Sequence, residues 1–219
     1  MSETALFKAI RAGDVDTAAV LIDGDPGLAA ALDETGVSVL MQALYHRQDA
    51  IARAIRVHRS RLDLFEAAAF GDLDEVRRHL QARDTDLDMY SPDGFTALGL
   101  AAFFNRPEIT ALLVQAGAEV MKRSDNPMQV APIDSAAAAG ALETLDVLLS
   151  AGADPDSQQA GGYTPLMSAA MLGNLAMAQR LLAAGADPGV RSDDGRRAAD
   201  FAREKGHMEL AQRLGFTGE

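Results

Sequence analysis

Cysteine is absent from the 219 residues, which rules out disulfides, thiolate metal sites and a cysteine nucleophile. Tryptophan is absent too, and aromatic residues make up only 5% of the chain. A core with so few rings must be filled by small and aliphatic side chains, as closely stacked helices allow. Basic residues are scarce: 20 Lys and Arg stand against 32 Asp and Glu, a formal charge of −12. Non-specific binding to nucleic acid needs cations that replace phosphate counterions, so no nucleic-acid partner is expected. The same deficit argues against an anionic membrane surface. No apolar run approaches the roughly 20 residues that span a bilayer. The opening Met-Ser-Glu-Thr-Ala-Leu-Phe-Lys lacks a basic segment leading into a long apolar run, so no signal peptide is read there. A soluble, intracellular protein of the cytoplasm is expected.

What the chain does have is a repeating pattern, clearest between Gly162 and Val190. Thr164 suits a helix cap and Pro165 the first helical position, where no N–H is needed. Leu166, Ala169 and Ala170 then fall on one helical face. Gly173 can end that helix in a left-handed conformation. A second helix carries Ala178, Leu181 and Leu182 at the same spacing, and Gly185 ends it before the Asp187-Pro188 turn. Such a pair cannot bury its own apolar stripe and needs a similar neighbour on each side. The Thr164 position recurs at Ala131 and Arg197, both steps being 33 residues (164 − 131 and 197 − 164). Leu148 to Asp154 and Leu112 to Glu119 repeat the pattern of Leu181 to Asp187.

A period near 33 built from helix pairs, with Thr164-Pro165-Leu166 and the Leu-Leu-x-x-Gly-Ala-Asp runs, resembles the ankyrin repeat along nearly the whole chain. The resemblance implies an all-α solenoid, with about seven stacked helix-turn-helix repeats joined by loops or short hairpin fingers. One solenoid over 1–219 is expected, its repeats starting near Thr4, Ser38, Leu62, Thr96, Ala131, Thr164 and Arg197. Leu62 follows Ser38 by only 24 residues (62 − 38), so a seam without a finger is predicted near 59–61. The step to Ala131 is 35 (131 − 96), so the loop from Met121 to Met128 should protrude. The histidine that usually follows Thr-Pro-Leu in the family is replaced by Met41, Phe65, Gly99, Asp134, Met167 and Asp200.

Groups capable of chemistry have bland explanations. His46, His58, His79 and His207 lie in different repeats, with no i,i+4 pair to scaffold zinc. Acids cluster at Asp84, Asp86 and Asp88, at Asp154 and Asp156, and at Asp193 and Asp194. They could hold a cation or act as acid and base, but short polar side chains at turns commonly bond their own backbone. No cofactor, metal or catalytic residue is assigned. Arg47, Arg53, Arg56, Arg59 and Arg61 form the one basic concentration. They read either as a docking face for an acidic partner or as a solvated helix paired to neighbouring acids.

The resemblance implies a non-catalytic scaffold that binds another protein in a groove lined by the fingers and first helices, and that is a monomer when unbound. The positions where the family meets partners hold Phe95, Met128, Val130 and Tyr163 in the loops. At the helix ends they hold Tyr45, Phe70, Phe103, Phe104, Met171 and Leu172. The termini hold charged residues there instead, as the rim of a binding patch would. Two alternatives remain: an enzyme or ligand-binding regulator with a carboxylate or His site in the groove, and an acidic decoy of a basic partner.

Overall fold

The computed structural model describes residues 2–82 and 85–215, so Asp84 lies outside the described residues. Among these there are fourteen α-helices and no strand. The helices pair in chain order: α1 (Ser2–Ala12) with α2 (Val15–Gly24), α3 (Val39–Tyr45) with α4 (Asp49–Val57), and α5 (Leu64–Phe70) with α6 (Leu73–Gln81). There follow α7 (Ala97–Phe103) with α8 (Pro107–Gln115), α9 (Pro132–Ala139) with α10 (Leu142–Ser150), α11 (Pro165–Leu172) with α12 (Leu175–Ala183), and α13 (Ala198–Glu204) with α14 (Met208–Arg213).

The caps explain why the first helices begin where they do. The hydroxyls of Ser38, Thr96 and Thr164 accept the N–H three residues on, at 3.2, 3.0 and 3.3 Å. The third repeat departs from its expected register. Leu62 is buried, and the cap is Asp63, whose carboxylate accepts the Glu66 N–H at 2.8 Å. Glu66 in turn accepts the Asp63 N–H at 3.3 Å, completing a capping box. Caps Asp63 and Thr96 are therefore 33 apart (96 − 63), and the residue in the family's histidine place is Glu66 rather than Phe65. At the start of the chain α1 already begins at Ser2, so Thr4 lies inside its first turn.

The helices fall into two compact units. The first comprises α1 to α6 together with residues 91–93. Leu6, Ile10, Ile22, Leu40, Ile51 and Ile55 fill its core. A 3-10 helix, Pro26–Ala30, and one antiparallel bridge between Leu32 and Ser38 join α2 to α3. Residues 58–63 link α4 to α5 without a hairpin. Two arginines hold this link, Arg56 from the last turn of α4 and Arg59 from within it. Arg56 pairs with Asp72 at 2.8 Å, and Arg59 chelates Glu66 at 3.0 and 2.7 Å while donating to the Ala29 carbonyl at 3.1 Å.

The second unit holds residues 86–90 and α7 to α14. Its first helices pack in sequence, α7 on α9, α9 on α11 and α11 on α13, and α10 packs on both α8 and α12. Alanines 101, 102, 136, 137, 169 and 170 are all buried. Their small side chains permit the close backbone approach anticipated from the scarcity of aromatics. Leu113, Leu145, Leu148 and Leu181 fill the space toward the second helices; Leu182, expected on the same face, is only half-buried. At Gly173 (φ +65°) a Cβ would come within 2.5 Å of the His207 ring, so backbone conformation and packing both require glycine there.

Candidate functional site

Four backbone turns of the second unit form a platform. The Asp125 N–H donates to Gly94 at 2.8 Å, the Ala160 N–H to Met128 at 3.0 Å, and the Asp193 N–H to Gly161 at 2.9 Å. The 121–128 loop is thus tied on both sides rather than left projecting, although Pro127, Met128 and Gln129 remain exposed. Met128 is 52% exposed. Val130, expected to face a partner, turns inward: it is buried, and its N–H donates to the Ser124 hydroxyl at 3.0 Å.

Beside this platform run the ends of the first helices. Phe103, Ala138 and Met171 sit seven residues after the caps Thr96, Ala131 and Thr164, so they occupy one position on three consecutively packed helices. Phe104, Ala139 and Leu172 occupy the next position. Phe103 is 40% exposed and meets Phe104 edge-on at 5.2 Å. Leu172 is 50% exposed, with Met171 and Phe95 half-buried and Ala138 exposed between the larger groups. Tyr163 is half-buried and packs against Phe201 in a tilted ring contact at 5.5 Å, and the Arg196 guanidinium lies over Phe201 at 4.2 Å. Removing the Tyr163 ring would therefore disturb packing as well as any interface. In the first unit Tyr45 and Phe70 are half-buried. The Tyr45 hydroxyl donates to Asp93 at 2.5 Å. Burial, reinforced by that carboxylate, holds the phenol far above its ordinary pKa.

The charged clusters resolve into structural pairs. Of the basic concentration, Arg56 and Arg59 are consumed by Asp72 and Glu66, leaving Arg47, Arg53 and Arg61 exposed. A continuous docking face from Arg53 to Arg61 is thereby lost. The turn acids bond backbone: Asp88 accepts the Glu119 N–H at 2.8 Å and Asp156 the Asp187 N–H at 3.0 Å. Asp194 binds Arg196, and the hydrogen bonds from Arg196 and Ser192 hold its carboxyl well below the usual range. His58 lies 3.3 Å from Asp23, and His79 Nε2 lies 2.9 Å from the Leu62 carbonyl. Among the described residues no group of three or more His, Asp or Glu is placed to hold a metal ion.

A model of ankyrin repeats, three copies, matches residues 64–159 and again 133–216, together most of the chain. The chain belongs to the ankyrin-repeat family. Protein phosphatase 1 regulatory subunit 27 of Mus musculus is 34% identical over 92 residues. That alignment covers 42% of this chain and 58% of the relative, so the chain spans little more than half the relative's length. No helix among the described residues is long and apolar enough to cross a membrane.

Against the ankyrin pattern, the acids at the third helical position stand out. Asp134 and Asp200 each accept the N–H of their own cap residue, Ala131 and Arg197, at 2.9 Å. They satisfy an orphan donor where the cap side chain itself accepts no hydrogen bond. Asp134 also accepts the Ser157 hydroxyl at 2.9 Å, while its Oδ1 is buried without a hydrogen bond. Burial pushes the Asp134 carboxyl up from 3.8 to about 6, against the pull of those two bonds. A carboxyl raised in the folded state binds more protons folded than unfolded. It therefore stabilises the fold at low pH, and that contribution is lost as pH rises from 3.8 through about 6. The stability of Asp134→Asn relative to the parent in urea melts should rise by about 2–3 kcal/mol between pH 4 and pH 7. A constant difference would show that Asp134 does not titrate in this window.

Proposed function

We propose that this ankyrin-repeat chain is a non-catalytic interaction module, and that it binds a partner protein on the apolar row of its second unit. Phe103, Met128, Met171 and Leu172 are its anchors, flanked by Phe95, Phe104 and Tyr163, with Tyr45 and Phe70 holding equivalent positions in the first unit. The observation that carries this reading is the alignment of exposed large apolar side chains at equivalent ends of packed helices. Folding leaves Phe103 and Leu172 40% and 50% exposed on rigid elements, where a partner would gain by covering them. The row ends at Glu204 of α13 and its C-cap Lys205, which would form part of a polar rim. Anchors of this kind dominate typical interfaces, and methionine adapts to irregular shapes. On this reading the protein is a cytoplasmic monomer until its partner arrives.

The name of the mouse relative supplies a second, narrower reading, in which the partner is a protein phosphatase 1 catalytic subunit. Calorimetry with the purified phosphatase tests it directly. For either partner, Phe103→Ser and Leu172→Ser should each weaken binding by at least about 1 kcal/mol, roughly fivefold, with the melt nearly unchanged. Two variants that bind as tightly as the parent would remove the site from this row.

A further inference from the structure

The chain holds nine methionines and no cysteine, so no thiol of its own competes for an oxidant. The fold sorts the methionines among the described residues by access. Met41, Met167 and Met177 are buried, and Met121 and Met171 are half-buried. Met89, Met128 and Met208 are 47%, 52% and 46% exposed. Of these three, only Met128 belongs to the apolar row. We infer that Met128 is a reversible oxidation site, at which a hydroperoxide converts the thioether to the sulfoxide without unfolding the chain and deprives the row of one apolar anchor.

The surroundings of Met128 support both halves of this inference. Its neighbours Pro127 and Gln129 are exposed as well, so a small peroxide reaches the sulfur. Met121, from the same loop, is the contrast. The Asp154 N–H donates to its sulfur at 3.4 Å and so engages a lone pair that oxidation needs. The turn around Met128 is held through its backbone. The Met128 N–H donates to the Asn126 side chain at 3.1 Å, and its carbonyl accepts the Ala160 N–H at 3.0 Å. The Ser124 N–H donates to the Val130 carbonyl at 2.9 Å. None of these bonds uses the Met128 side chain, so its chemistry can change while the turn stays. In the reaction a sulfur lone pair attacks the terminal peroxide oxygen. The S–O bond forms as the O–O bond breaks, and the proton of the transferred oxygen passes to the other oxygen, which leaves as water or an alcohol. Sulfur is oxidised by two electrons and the peroxide reduced by two. A flexible apolar side chain becomes a polar one. A partner seated on the row would then have to bury an S=O group with no donor matched to it, so oxidation would release the partner. That regulatory consequence rests on the row being the interface; the modification itself does not.

The test treats the full chain with hydrogen peroxide, removes the oxidant with catalase and maps sulfoxides by peptide mass spectrometry. Met128 should oxidise at least about 10-fold faster than Met41, Met167 and Met177, and faster than Met121, because susceptibility follows access to the sulfur. Urea melts before and after treatment should coincide, and reductases for the two sulfoxide epimers should restore Met128. Nile red, a neutral dye that brightens on apolar surface, should lose at least about 2-fold of its emission on the oxidised parent. On Met128→Leu, in which Met89 and Met208 still oxidise, the same treatment should leave the emission unchanged. The assignment is overturned by Met128 oxidising no faster than the buried methionines, by a melt that shifts, by sulfoxide that the reductases leave in place, or by emission that falls equally in both proteins or in neither. Undiminished partner binding by Phe103→Ser and Leu172→Ser would remove the row as the interface yet leave the oxidation map intact, so the two failures are distinguishable.

Discussion

Glu66→Ala should cost about 3–5 kcal/mol in urea melts, although the residue lies outside every proposed binding surface. Its side chain is only 2% exposed, and both carboxylate oxygens are taken by Arg59. Truncation leaves the Arg59 guanidinium in a poorly solvated place, still bonded to the Ala29 carbonyl but without its paired carboxylate. It also removes the acceptor for the Asp63 N–H and so half of the capping box that starts α5. The sign reverses for the pair taken together. Exchanging Arg59 for Met and Glu66 for Leu removes both desolvated charges, and the double variant should recover most of the loss. A double-mutant cycle measures this coupling, because the two groups touch. If Glu66→Ala costs under about 1 kcal/mol, Arg59 finds water when unpaired and the link between α4 and α5 is open to solvent.

The same link shows why some features were legible in the sequence and others were not. Repeat period, caps and buried alanines follow from local chemistry: a hydroxyl at the cap, proline behind it, and small residues four positions on. Thr96, Thr164 and the runs from Leu148 and Leu181 could therefore be placed from the chain alone. A third repeat starting at Leu62 falls one residue before the true cap, because Leu62 stands where other repeats carry a capping group. The correct signal was present as Asp63-x-x-Glu66, the pattern of a capping box. For the arginines the chain alone leaves two readings open, a docking face or a helix paired to neighbouring acids, and Arg56 and Arg59 take the second. Spacing by three does put Arg53, Arg56 and Arg59 along one helix, but it cannot say that Asp72 and Glu66 fold back onto two of them. Position within the repeat also does not set exposure. Val130 and Tyr163 share a position with Phe95, yet Val130 is held by Ser124, and Tyr163 packs against Phe201 of the following repeat.

Leu148→Ala and Leu181→Ala should each cost about 2–5 kcal/mol, the range for emptying a packed leucine site. The two leucines are 33 residues apart (181 − 148) and fully buried, on α10 and α12, which pack on one another. Each loses the transfer energy of its removed methyl groups and leaves a cavity, since helices packed on several neighbours cannot collapse freely. Leu182→Ala provides the contrast. Leu182 is adjacent in sequence but half-buried, and its loss should cost about 1 kcal/mol. A similar cost for Leu181 and Leu182 would mean that the buried face of α12 has been misassigned. The double variant distinguishes two pictures of the array. Independent repeat cores would give additive losses within about 0.5 kcal/mol. In a solenoid, where each repeat is held mainly by its neighbours, the first cavity loosens the interface that supports the second. The double should then cost less than the sum, because the second truncation empties a site already partly relaxed.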